Sequence, residues 1–183
     1  PEHHFPAPLE DVTKAWDYLM HLGYGARDIV VAGDSAGGNL ALVLTMLLRD
    51  TGRLLPRRLV LMSPWTDMTA SGKSYRERRD ADPMITMNYI QAVRAAYAPG
   101  RELSSPMLSP LFGDFDRFPP VLIQVGTNEI LMSDSVRLRD RLVQAGIPCR
   151  LEVWPDMWHV FQMFPMKKAS QAMDSVGRFL LET

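Results

Sequence analysis

The stretch Val30–Leu42, VVAGDSAGGNLAL, constrains this chain more than any other. A short β-branched run enters Gly33-Asp34-Ser35-Ala36-Gly37-Gly38, and a second apolar run leaves it. The first run is uninterrupted, as in a strand covered on both faces. The second, over 39–48, is apolar nearly all round and reads as a helix buried in the body of a domain. Gly-x-Ser-x-Gly between strand and helix is the nucleophile-elbow pattern, with Ser35 at its apex in a strained backbone conformation. The glycines at 33 and 37 let strand and helix approach, and the N–H of Ala36 is placed to face a developing oxyanion. Small residues also fill ordinary tight turns, so the pattern needs partners elsewhere in the chain. Neither Gly-x-Gly-x-x-Gly nor a Lys-Ser/Thr pair after the glycines is present, which leaves dinucleotide and P-loop binding without support.

The rest of the chain repeats the strand-then-helix rhythm. Leu9, Val12, Trp16, Leu19 and Met20 recur at helical spacing between Pro8 and Gly23, which predicts an amphipathic helix over 9–22. Buried strands are predicted at 28–33, 58–63 and 119–127. Residues 149–155 alternate Leu151 and Val153 with Glu152, as a strand nearer an edge does. Helices are predicted at 133–146, closed by Gly146, and over 169–180. This alternation argues for an α/β fold around a parallel sheet with right-handed crossovers. Residues 66–118 interrupt it. They are expected to form an insertion above the carboxyl edge of the sheet, with short helices near 72–79 and 86–97.

A serine hydroxyl is a poor nucleophile without a base, and the base needs an orienting acid. On an elbow-bearing sheet the chain order is serine, acid, histidine. Of the four histidines, His3 and His4 lie in an extended, proline-bounded segment and point oppositely, which makes them a poor metal pair. His21 falls on the polar side of the first helix. His159 follows the last strand, in WPDMWHVF, where a base should stand. The acid should follow the third strand, where VGTNEILMSDS offers Glu129 and Asp134. Glu129, directly after strand and turn, is the expected acid. Asp134 is expected to cap the next helix, a role worth about 1 kcal/mol. Trp65, Met84, Ile85 and Phe161 are candidates to line a substrate pocket, and each reads equally well as core.

The 183 residues, 46% apolar, suit one domain or part of a larger one. A net charge of −1 gives no hint of nucleic acid or an anionic membrane as partner. No apolar run is long enough to span a bilayer, and no signal peptide stands out. The single cysteine, Cys149, leaves no internal disulfide framework and fits a reducing, cytoplasmic compartment.

In PEHHFPAPLEDV at the start, GDSAGGNLA at the elbow, Ser63-Pro64-Trp65 followed by Asp67, Ser109-Pro110-Leu111, and the acid and histidine loops, the chain resembles the hormone-sensitive-lipase family of α/β-hydrolase carboxylesterases. The resemblance implies a mostly parallel sheet with flanking helices. It implies hydrolysis of a small carboxylic ester through an acyl-enzyme, with Ser35 as nucleophile, His159 as base and Glu129 as acid. No metal or organic cofactor is implied. Many members carry Asp-Pro-Leu where this chain has Glu129-Ile130-Leu131, a form shared with a glutamate-using subset. The family's His-Gly-Gly-Gly oxyanion loop, its cap element and its first strands lie upstream of the segment matching Pro1. The resemblance therefore implies that 1–183 is a carboxy-terminal portion of the catalytic domain. It would keep only Ala36 as oxyanion donor and be impaired alone. Its nucleophile strand would lack one neighbour and be open to self-association as a homo-oligomer. Two other readings are weaker. An acyl-peptide hydrolase domain usually has an aromatic residue where Ala36 stands. A non-catalytic ligand-binding protein on a hydrolase scaffold tends to lose a triad member, and here all three are present.

Overall fold

A run of four strands that are each followed by a helix leaves one economical solution, a parallel sheet with helices on both faces. The computed structural model, which describes residues 2–182, has this arrangement. In chain order the elements are α1 (Ala7–His21), β1 (Val30–Asp34), α2 (Ala36–Asp50), β2 (Arg58–Met62), α3 (Ser74–Glu77), α4 (Met87–Tyr97), β3 (Val121–Gly126), α5 (Met132–Gln144), β4 (Cys149–Trp154) and α6 (Lys167–Leu181), with short 3-10 turns between some of them. The strands pair in the order β1-β2-β3-β4, every pair parallel.

Alternate residues of a strand face opposite sides of the sheet, and here both sides are covered. Leu59, Leu61, Val121 and Ile123 pack against Leu42 and Met46 of α2 and Leu138 and Leu142 of α5. Val60 and Leu122 face the other way, onto Val176 and Phe179 of α6. Every residue of β3 is buried, including Gln124, whose amide donates to Glu152 Oε2 (2.9 Å) and to the Ala172 carbonyl (2.8 Å). The all-round apolarity of α2 has its cause in packing. One side lies on the sheet, and another receives Trp16 of α1 against Leu44 and Leu48. α5 is followed by Gly146 at φ +75°, a left-handed conformation that glycine adopts without strain.

β1 departs from the expectation of a strand buried on both faces. Among the described residues it pairs with β2 alone, and Ala32 and Asp34 are exposed. Between β2 and β3, the segment 66–118 contributes α3 and α4. Its core of Met68, Tyr75, Ile85, Ile90 and Leu108 closes on Trp65 and on Ile130 and Leu131, which lead into α5. Among the described residues no helix is long and apolar enough to cross a membrane.

Two glycines give opposite expectations. A Cβ on Gly126, at the end of β3, would lie 2.1 Å from the carbonyl oxygen of Met157, whereas on exposed Gly177 of α6 it would meet nothing. Gly126→Ala is expected to destabilise the fold by at least about 2 kcal/mol through overpacking against backbone. Gly177→Ala is expected to stabilise it by about 0.5–1 kcal/mol. Urea denaturation of the two variants measures both.

Candidate active site

Ser35 stands one residue beyond β1 with φ 52° and ψ −118°, a conformation that L-residues avoid. Its surroundings hold it there. The Ser35 N–H donates to the Met62 carbonyl (2.9 Å), and its own carbonyl accepts from the N–H groups of Trp65 (3.0 Å) and Gly38 (3.1 Å). A Cβ on Gly33 would come within 2.3 Å of the Gly37 carbonyl carbon, and one on Gly38 within 2.8 Å of Pro64 Cβ. Gly37 itself faces open space. The close approaches thus require glycine at 33 and 38, and the sequence expectation of 33 and 37 is corrected at the second position. Ala36 opens α2, so its N–H is among those without an intrahelical acceptor. Asn39, not anticipated from sequence, donates through Nδ2 to the carbonyls of Trp65 and Leu108, each at 2.8 Å. It ties α2 to both ends of the insertion.

Glu129 and His159 meet directly. His159 Nδ1 lies 3.1 Å from Glu129 Oε2, and both side chains are buried. The other carboxylate oxygen, Oε1, accepts from Ser63 Oγ (2.8 Å) and from the Gly126 N–H (2.5 Å). The two loops are laced together. Thr127 N–H donates to the Trp154 carbonyl (3.0 Å), Asn128 N–H to the Met157 carbonyl (2.9 Å), and Asp156 N–H to Thr127 Oγ1 (2.8 Å). Asp82, also not anticipated, holds the acid loop from the insertion. Its Oδ2 accepts from the Ile130 N–H (2.9 Å), while its Oδ1 accepts from those of Met84 and Ile85. Ser35 is partly exposed at the same edge of the sheet. Among the described residues its Oγ has no hydrogen-bond partner. Nδ1 of His159 is engaged by Glu129, which leaves Nε2 as the ring nitrogen for other contacts.

Asp134 does not cap α5. It lies in the first turn of that helix, but its fully buried carboxyl crosses to the insertion. Oδ2 accepts from the N–H groups of Thr66 and Asp67 (both 2.9 Å) and from the Tyr75 hydroxyl (3.1 Å), while Oδ1 has no partner. Burial, reinforced by the charge of Asp67, pushes the Asp134 pKa up to about 8 against the pull of these donors. Asp67 goes the other way. Burial opposes its charge, but Ser71, Thr69 and Arg137, whose Nη1 is 2.8 Å away, together hold its pKa below the usual value. At neutral pH the pair therefore divides into a charged Asp67 and a neutral Asp134. Burial and the two carboxyls also push the Tyr75 phenol well above its ordinary pKa, so it remains a donor.

The candidate pocket residues separate. Trp65 and Ile85 are buried in the core of the insertion. Phe161 is fully buried beneath the histidine loop, its ring 5.6 Å from that of Trp154. Met84 is 51% exposed. His4 Nδ1 contacts the Ala96 carbonyl at 2.6 Å and fastens the start of the chain to α4.

A sheet of this topology with an elbow serine, a buried glutamate and a buried histidine on one edge is that of an α/β hydrolase. A model of the alpha/beta hydrolase fold matches residues 1–163, and the chain belongs to that family. An esterase of Acinetobacter venetianus is 35% identical over 98% of this chain and 60% of its own length. An acetyl-hydrolase of Streptomyces hygroscopicus is also 35% identical, over 98% of this chain and 61% of its own. The crystal structure of an esterase from the bacterial hormone-sensitive lipase family superposes with a TM-score of 0.96 at 40% identity, covering 98% of this chain and 61% of that one. The resemblance read from the motifs thus extends over nearly the whole chain, which spans about three fifths of the length of these relatives.

The Asp134 geometry sets a pH dependence. Its folded pKa of about 8 lies above the unfolded value of about 3.9, so between those values the folded state holds the extra proton. The stability that this residue contributes is full below about pH 4 and is lost as pH rises towards about 8. Asp134→Asn keeps an acceptor oxygen and removes the titration. Its stability relative to the parent is expected to rise across that window. Asp134→Ala strands three buried donors and is expected to cost at least about 3 kcal/mol, well beyond a lost cap. Urea denaturation at a series of pH values tests both.

Proposed function

We propose that the intact protein is a carboxylic ester hydrolase that works through an acyl-enzyme, with Ser35 as nucleophile, His159 as general base and Glu129 as the acid that orients it. His159 Nε2 takes the proton of Ser35 Oγ as that oxygen attacks the ester carbonyl carbon. The oxyanion of the tetrahedral intermediate is met by the Ala36 N–H, at the positive end of the α2 dipole. The imidazolium then gives its proton to the departing alkoxide, and the acyl group stays on Ser35. Water attacks this ester with His159 again as base, releasing the carboxylic acid and restoring the serine. Glu129 fixes the Nδ1–H tautomer throughout and stabilises the imidazolium. No step uses a metal or organic cofactor.

The observation that carries this reading is the contact between Glu129 and His159, two buried residues thirty positions apart, on the edge where the strained Ser35 sits. The names of the relatives, an esterase and an acetyl-hydrolase, point to small carboxylic esters as the substrate class.

Hydrolysis of a short-chain p-nitrophenyl ester by the intact protein tests the assignment. Ser35→Ala is expected to remove turnover. Glu129→Gln, which favours the wrong imidazole tautomer, is expected to lower kcat by about 10⁴-fold. Asp134→Asn, remote from the imidazole, should stay within about tenfold of the parent. Near-parental turnover in Glu129→Gln together with loss in Asp134→Asn would overturn the choice of acid.

A further inference from the structure

Ser63 lies one residue beyond β2, is fully buried, and stands outside the three residues assigned above. Its hydroxyl occupies the point where the acid and histidine loops meet. Ser63 Oγ donates to Glu129 Oε1 (2.8 Å) and accepts from the Val160 N–H (3.1 Å). Val160 directly follows His159, and His159 Nδ1 meets the other oxygen of the same carboxylate. The contacts close a ring that runs from Ser63 Oγ through the Glu129 carboxylate and the imidazole to the Val160 N–H and back.

Only a small hydroxyl fills this position, because the spot requires one atom that both donates and accepts. Glutamate has three side-chain torsions, so a single contact to histidine leaves its carboxylate free to swing. Ser63 and the Gly126 N–H together seize Oε1 and fix the plane in which Oε2 is presented. The backbone at both ends of the Ser63–Val160 contact is held in costly conformations. Ser63 has φ 49°, and Val160 has φ 49° and ψ 43°, an outlier for a β-branched residue. Such conformations persist where surrounding structure enforces them and cluster at functional sites.

We propose that Ser63 is a positioning residue for the hydrolytic reaction, its hydroxyl aligning the Glu129 carboxylate with His159 Nδ1 and anchoring the histidine loop through Val160. The inference rests on the assignment of Glu129 and His159 given above.

Steady-state kinetics of the intact protein and its Ser63→Ala, Ser63→Gly, Glu129→Gln, Ser63→Ala/Glu129→Gln and Ser63→Gly/Glu129→Gln variants test it. Glycine fits φ 49° without strain, so Ser63→Gly removes the hydroxyl while easing the backbone, and it carries the test if Ser63→Ala is not recovered folded. Both single Ser63 variants are expected to lower kcat about tenfold to a hundredfold, the worth of a hydrogen bond to a charged group, with KM within about twofold of the parent. In the Glu129→Gln background the same change should cost less than about twofold, because residues that act as a unit are non-additive. The single and double Glu129→Gln variants carry the background comparison with either Ser63 replacement. Parental kcat in the Ser63 variants, or an equal loss in both backgrounds, would overturn the inference and leave the Glu129 assignment standing. Parental kcat in Glu129→Gln would overturn that assignment itself, and the inference with it.

Discussion

Parallel strands that neighbour one another must be joined by a crossover, and every crossover leaves the sheet from the same edge. Because the four strands pair in chain order, the loops that follow them open side by side. Ser35 comes one residue after β1, Ser63 one after β2, Glu129 three after β3 and His159 five after β4. Residues as far apart as 35 and 159 in sequence thus reach one edge through backbone pairing alone. The side chains then need only local geometry to meet. The close approach of β3 to the histidine loop, possible because Gly126 has no Cβ, supplies part of that geometry.

A buried carboxylate is tolerated only with partners, and the loop after β3 and the first turn of α5 carry two such groups that use them differently. Glu129 spreads three contacts over both oxygens, one of them the imidazole. Asp134 gathers its donors, from Thr66, Asp67 and Tyr75, on one oxygen, next to a second carboxyl that keeps the negative charge. The first arrangement presents an oxygen to histidine. The second ties the start of the insertion to α5. Asp82 joins the two functions, since its carboxylate links the turn at Met84 and Ile85 to the backbone just after Glu129. Loosening of the insertion would therefore reach the acid loop through a short path of backbone hydrogen bonds.

Most of this architecture was legible in the sequence. The four strands fall within two residues of their predicted starts, and Glu129 and His159, chosen by chain order and residue type, are in contact. What was misread depends on distance. The cover of β1 on both faces was inferred from β-branched residues, which report preference and not neighbours, and Ala32 and Asp34 are exposed; its single strand partner is the one the resemblance implied. Asp134 has the ordinary mark of a helix cap, but its actual partners, Thr66, Asp67 and Tyr75, are about sixty residues away in the chain. The need for glycine at 38 arises from Pro64, across a tertiary contact. Ser63 carried no local signal at all. It sits in a Ser-Pro-Trp run noted only for its resemblance value, and its role depends on carboxylate and amide groups 66 and 97 residues further on.

The assignment of Ser35 as an activated nucleophile can be read from one mass spectrum. The intact protein is treated with a fluorophosphonate, which phosphonylates a serine only where a base accepts its proton, and is then digested with trypsin. The peptide spanning 28–49 contains Ser35 and no other serine. A phosphonyl mass increment confined to that peptide is the expected result. An increment on a different peptide, or none in folded protein, would contradict the nucleophile and the chemistry built on it.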